Sequence, residues 1–258
     1  MPNNPVVTWQ PWPTVANPAP TAIRVLHPEV DLAKYTFSYN PETFTATATT
    51  PSMTLTSMSL TGEFYKEELA ALQSWYGNPI VMEKYASGVT KTAEEAEARY
   101  KTLADRWTAG LPYSGLMARN SDGKLVAMFN LGYAVDNENK VRPGITEFAG
   151  VVDPDNWNKG LASEAMILML VVNQYLCDNG YEIADAPLAG ITTAVRTDNE
   201  WADRALQNSA LTFKFQKESY VKTRNVYEAS SEELKDILVN TERSRNEDGN
   251  FLASTLRV

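Results

Sequence analysis

Apolar residues recur along this chain at two spacings, and the switches between them mark most of its elements. A helical spacing over 63–76 puts Phe64, Leu69, Leu72 and Trp75 or Tyr76 on recurring positions, and Gly77-Asn78-Pro79 stops it. Thr92-Ala93-Glu94-Glu95 has the form of a capping box for a second helix to about Thr108. Its Ala96, Tyr100, Leu103 and Trp107 share one face. Strand-like runs fall at 53–58, 113–119, 125–135, 145–152, 191–195, 212–216 and 220–227. Asn120-Ser121-Asp122-Gly123 joins the second and third as a hairpin, and a polar turn at 136–144 leads into the fourth. Helical stretches are expected at 161–177, at 199–208 and, capped by Ser230-Ser231-Glu232-Glu233, to about Thr241, with a flexible tail at 246–250.

The helix at 161–177 is apolar on every side, so it requires burial between a sheet and a further covering layer, another element or a second subunit of a homodimer. The stretch leading into it, Asp153-Pro154-Asp155-Asn156-Trp157-Asn158-Lys159-Gly160, follows a strand that Pro154 ends. A glycine turn feeding a helix aims free backbone N–H groups at one point, where the helix dipole adds roughly half a positive charge. Such a place receives an anion such as phosphate. Upstream, six prolines at 2, 5, 11, 13, 18 and 20 exclude a regular helix from 1–21; Trp9 and Trp12 either pin this arm onto the body or a partner subunit, or ride on a mobile tail. A short strand at 22–26 and one or two more within 35–50 follow.

Composition narrows the chemistry. A single cysteine, Cys177, and a single histidine, His27, leave nothing for a disulfide framework, a multi-cysteine zinc site or a serine–histidine triad, and no metal is expected. Cys177, at the far end of the apolar helix, reads as an inert core thiol. The net charge of −9 opposes general nucleic-acid binding and suits cationic partners, though solubility alone explains it. No apolar run reaches the ~20 residues of a membrane span, and the N-terminus lacks a signal-peptide pattern, so a cytoplasmic protein is expected.

The run Asp153 to Ala165, with Trp157, Gly160, Ala162, Glu164 and Ala165, resembles the acetyl-CoA pyrophosphate loop of the GNAT N-acetyltransferases. It is most similar to the branch that acetylates ribosomal-protein N-termini. The resemblance covers about residues 53–227. It implies a mixed α/β fold, a central mixed sheet flanked by helices, with residues 1–52 as an N-terminal extension and 228–258 as a C-terminal helix and tail. It further implies acetyl-CoA as cosubstrate, anchored by Trp157, Asn158, Lys159, Gly160, Leu161, Ala162 and Ser163. A backbone N–H of Val151 or Val152 would polarise the thioester carbonyl.

Asn199 falls where the family has an Asn that hydrogen-bonds the pantetheine arm; its plain alternative is a helix N-cap. Ala202 stands where the family has Ser, and the tyrosine that often protonates the thiolate has no counterpart near Leu206. Tyr133 and Ser209 are further acid candidates, each with a structural role as its alternative. Glu147, on the strand leading to the loop, is the candidate catalytic base, with an ordinary strand-start residue as its alternative. The expected reaction is direct acetyl transfer to a primary amine, on a small molecule such as a polyamine or aminoglycoside or on a protein N-terminus. The alternative is an acetyltransferase-like binding or scaffold protein without turnover.

Overall fold

The computed structural model describes residues 30–136, 140–207, 211–217 and 223–248. The expected strand at 22–26, Trp9, Trp12, His27 and Ser209 lie outside the described residues.

After a single 3-10 turn, β1 (Thr36–Asn40) and β2 (Thr45–Thr49) form a hairpin and β3 (Thr54–Ser57) pairs antiparallel with β2. Helix α1 (Tyr65–Gly77) stops at Asn78, whose side chain caps the short α2 (Pro79–Met82) by accepting from the Ile80 amide at 2.9 Å. Helix α3 (Ala93–Thr108) begins with both bonds of the capping box, Glu95 N to Thr92 Oγ1 at 3.2 Å and Thr92 N to Glu95 Oε2 at 2.8 Å. Strands β4 (Gly115–Arg119), β5 (Leu125–Val135) and β6 (Val141–Val152) run as an antiparallel meander. Helix α4 (Leu161–Asp178) follows, then a small hairpin of β7 (Glu182–Ile183) and β8 (Ala186–Pro187) that the sequence pattern did not mark. The chain continues through β9 (Gly190–Arg196), α5 (Glu200–Gln207), β10 (Thr212–Lys217), β11 (Arg224–Ser230) and α6 (Ser231–Asp248). Ser230 and Glu233 exchange capping bonds at the start of α6, which runs well past Thr241 and takes in most of the expected tail.

One nine-stranded sheet organises the molecule, in the order β1-β2-β3-β4-β5-β6-β9-β11-β10. Every neighbouring pair is antiparallel except β6 with β9. The strands of the N-terminal segment therefore continue the same sheet. Helix α4 obtains the burial its composition demands from β6 and β9 on one side and from β1, α5 and α6 around it. The Phe37 ring of β1 meets Tyr175 of α4 edge-on, with centroids 5.0 Å apart.

The α4 side of the sheet is fixed by Thr146, whose hydroxyl donates to Asn173 Oδ1 at 2.8 Å. Side chains alternate along a strand, so Glu147 points to the opposite face. There Arg106 of α3 approaches Gly132, the β5 partner of Glu147.

Candidate active site

Parallel pairing between β6 and β9 lasts only from Ile145↔Gly190 to Glu147↔Thr192. Beyond it the two strands part. The Thr193 hydroxyl donates to the Phe148 carbonyl at 3.0 Å, taking a position a backbone amide would otherwise fill. β6 stays paired with β5 as far as Val152, and β9 with β11 as far as Arg196. The gap between them is a cavity of about 210 Å³. It is lined from the α4 side by Ala162, Met166, Ala202, Ala205 and Leu206, and from the other by Lys84, Tyr85, Ala86, Arg196 and Arg224. Glu147, Gly150, Val152 and Phe129 lie along it. It is a window through the sheet.

Which amides of β6 face that window follows from the ladder. In an antiparallel pair, successive residues turn their N–H and C=O alternately toward and away from the partner strand. The Asp153 amide donates to Val126 at 2.9 Å, so Asp153 and, two residues back, Val151 face β5. Gly144, Phe148 and Val152 turn the other way: their carbonyls accept from the Ala189 amide, the Thr193 hydroxyl and Trp157 Nε1 respectively. Val152 and Gly150 therefore present their amides to the window. Of the two expected residues, Val151 is therefore set aside, since its amide belongs to the β5 ladder and its side chain is buried, while Val152 faces the window together with Gly150. Gly150 also answers a close approach, since a Cβ there would lie 2.4 Å from Cδ1 of Phe129.

The loop after β6 folds as the turn chemistry requires. Pro154–Asn156 makes one 3-10 turn, and Asn156 Nδ2 donates to Asp153 at 2.8 Å. Trp157 is 43% exposed, and its indole N–H closes the turn onto Val152 at 2.8 Å. Asn158 and Gly160 both take left-handed backbone, with φ of +61° and +81°. Asn is among the few residues that tolerate this region, so Asn158 holds the conformation the family's more usual glycine would supply. Gly160 is the N-cap of α4, and a Cβ there would meet nothing within 4 Å.

The first helical turn leaves the amides of Leu161, Ala162 and Ser163 without an intrahelical acceptor, at the positive end of the dipole and open to solvent on the Gly160 side. Ala162 reaches the window itself. Lys159 is exposed, and its Nζ donates to Asn156 Oδ1 at 2.9 Å. An anion with several acceptor oxygens fits this cradle.

Asn199 performs the N-cap job: its Oδ1 accepts from Ala202 N at 3.2 Å while its Nδ2 reaches the Lys84 carbonyl at 3.4 Å. It lines the window while tying α5 to the 83–88 loop. Asp203 fixes α5 to β11 by accepting from Asn225 Nδ2 at 2.7 Å and the Tyr227 hydroxyl at 2.8 Å. Tyr133 stands apart, beside Tyr113 with ring centroids 5.9 Å apart and under Arg106. Cys177 lies sixteen residues along α4 from Leu161, about 24 Å away at 1.5 Å per residue.

The sequence reading missed the 83–88 loop, Arg196 and Arg224 as parts of the site. The loop has no periodic signal. Arg196 was visible only as a charge at the end of an apolar strand, two residues before an aspartate.

The family model of the acetyltransferase (GNAT) domain matches residues 63–210, more than half of the 258 residues. The chain belongs to this acetyltransferase family. Among similar solved structures is AAC(6')-Ib in complex with ribostamycin and coenzyme A, with a TM-score of 0.53 at 15% identity, covering 71% of this chain and 96% of that one. RimL, a ribosomal-protein α-N-acetyltransferase in complex with coenzyme A, has a TM-score of 0.51 at 12% identity and covers 70% and 95%. Spermidine N-acetyltransferase from Vibrio cholerae, in complex with coenzyme A and spermine, has 0.50 at 13% identity and covers 71% and 98%. No curated protein matches the chain. The ribosomal-protein branch is one relative of similar rank among several.

Proposed function

We propose that the protein is an N-acetyltransferase that moves an acetyl group from acetyl-CoA directly to a primary amine. The observation that carries this reading is the parting of β6 from β9, which opens a window through the sheet beside the N-terminus of α4. The solved relatives with coenzyme A bound share this fold.

Acetyl-CoA supplies the activated acyl group. The amides of 158–163 and the α4 dipole hold its pyrophosphate. The apolar wall of Ala162, Met166, Ala202, Ala205 and Leu206 receives the pantetheine arm. The amides of Gly150 and Val152 donate to the thioester oxygen as negative charge builds on it. Glu147 lies upstream on the opposite face of the sheet and takes the proton of the incoming ammonium through water. The amine nitrogen bonds to the carbonyl carbon, its second proton passes to solvent as the carbon–sulfur bond breaks, and the leaving thiolate takes a proton. Leu206 offers none; Tyr85, the tyrosine that lines the window, is the donor of this reading. Positioning contributes much of the rate, since well-aligned reactants reach effective molarities of ~10⁵ M or more.

The second reading, a binding protein without turnover, draws on Ala202 and Leu206, apolar where the family carries hydroxyl groups. Release of coenzyme A with a panel of amines separates the two. Turnover that falls about 10²-fold or more in Glu147→Gln supports the enzyme. Acetyl-CoA binding with no release for any amine supports the scaffold.

A further inference from the structure

The far end of the window holds a charge arrangement that the transfer reaction itself does not explain. Arg196 is 6% exposed, yet it lines the cavity. Its Nε and Nη2 donate to the two oxygens of Asp198 at 3.0 and 2.9 Å, while its Nη1 is buried without a hydrogen-bond partner. Directly opposite it in the β9–β11 register is Arg224. Arg224 Nη2 donates to the Ala86 carbonyl at 3.0 Å, and its Nε is again buried without a partner. Two like charges facing each other across a strand pair repel, and buried donors left unpaired cost free energy. Lys84, 3.8 Å from Asp198, adds a third cation.

The 83–88 loop is shaped around these groups. Ala86 takes a left-handed φ of +44°, unusual for a residue with a side chain, and its carbonyl meets Arg224. Gly88, at φ +79°, leaves room for the guanidinium, since a Cβ there would lie 2.6 Å from Arg196 Nη1. Among the described residues, Arg196, Arg224 and Lys84 thus converge at this end, with Asp198 and the exposed Glu83 paired to them and Glu147 further along the same cavity. The two unpaired guanidinium N–H groups call for a hydrogen-bond acceptor, which a carboxylate supplies and the ammonium groups of a polyamine do not.

Register locates this cluster relative to the chemistry. Pairing ends at Glu147↔Thr192, and Arg196, four residues further along β9, lies across the opened gap, where it lines the same cavity as Gly150 and Val152. Thr192 and Arg196 share the Glu147 face of the sheet, the face opposite α4.

We propose that the acceptor is a short amino acid, an amine with a free carboxylate a few bonds away. Arg196 Nη1 and Arg224 Nε hold the carboxylate, and the amine turns toward the thioester position between them and Glu147. This inference rests on the N-acetyltransferase reading.

The test reads acceptor binding by calorimetry on the full chain saturated with coenzyme A, so that no turnover is needed. The probes are the common amino acids, their C-terminal amides, their decarboxylated amines, and spermidine. The expected result is at least one amino acid binding tenfold or more tighter than its amide and its decarboxylated amine, with spermidine weaker still. Arg196→Gln and Arg224→Gln, each confirmed as folded by its melting curve, should each remove most of that preference. Binding of the carboxyl-free amines should stay within about threefold.

Equal binding of acid and amide, tighter binding of spermidine, or a uniform loss across all probes in both variants would overturn the proposal. Failure of the transferase reading looks different: the carboxylate preference stands in binding, but no probe releases coenzyme A from acetyl-CoA.

Discussion

Gly160 and Asn158 carry the local argument, because both occupy backbone that L-residues avoid. At Gly160 there is space for a side chain, so a substitution acts through conformation and charge rather than through a clash. Gly160→Asp should cost about 1–2 kcal/mol of turn strain and set a carboxylate against the anion expected at the α4 N-terminus. A loss of 2–3 kcal/mol in acetyl-CoA binding corresponds to roughly 30- to 150-fold in the dissociation constant. Calorimetry on the folded variant checks it, and an unchanged constant would remove the loop from the cofactor site. Asn158→Gly keeps the left-handed turn and should leave that constant within about threefold. The turn itself was legible in the sequence from Pro154, Gly160 and the apolar helix that follows. The direction of the amides was not. Choosing between Val151 and Val152 depends on the phase of β6 against β5, which a strand pattern of period two does not supply.

Among the elements, the bond between the first turn of α4 and the N-terminal hairpins gives Glu164 a structural role. Its carboxylate accepts from the Thr50 and Ser52 hydroxyls and from the Ser52 amide, the last two at 2.6 and 3.0 Å. The same charge, after burial, helps push the Tyr35 hydroxyl up to about 12. Glu164→Ala should lower stability by about 2 kcal/mol, since hydrogen bonds to charged groups contribute roughly 1.5–3 kcal/mol each and are not additive. Urea unfolding measures it, and acetyl-CoA affinity serves as the control that should change little.

A second element-level effect depends on pH. Burial raises the carboxyl pKa of Glu68, against the Tyr100 hydroxyl bond and the Arg119 charge, which lower it. An acid with a raised folded pKa contributes its full stability below the unfolded value and loses it as pH rises through the folded one. Glu68→Gln escapes that loss, so its melting temperature relative to the natural protein should climb between pH 4 and pH 7. A difference that stays flat across that range would show the carboxyl titrating as in water. The capping box and the hairpin turn were readable from local chemistry. The pairing of β6 with β9, and the place where it stops beside the Thr193–Phe148 bond, is a long-range event that nothing local announces.

For the molecule as a whole, the question is whether the family-matched segment, 63–210, folds without its flanks. Composition alone showed that α4 needs covering on several sides, and left open whether an element or a subunit provides it. The structure assigns part of that covering to β1 and α6, both outside the matched segment. Tyr35, Ala46 and Ala48 are buried in the same core as Leu55 and Met117, and β2 supplies the pairing edge of β3. Removing residues 1–50 would expose these apolar surfaces, uncover Tyr175 where Phe37 lies against it, and take away the Thr50 end of the Glu164 anchor. At ~25 cal/mol per Å² of apolar area, even 200–300 Å² newly exposed is roughly 5–8 kcal/mol, comparable with the 5–15 kcal/mol that holds a typical domain folded. The chain from residue 51 onward should therefore aggregate or melt without a cooperative transition in calorimetry, with acetyl-CoA failing to restore one. A soluble fragment with a sharp transition and an acetyl-CoA shift equal to that of the full chain would mean that the N-terminal strands decorate an autonomous core instead of completing it.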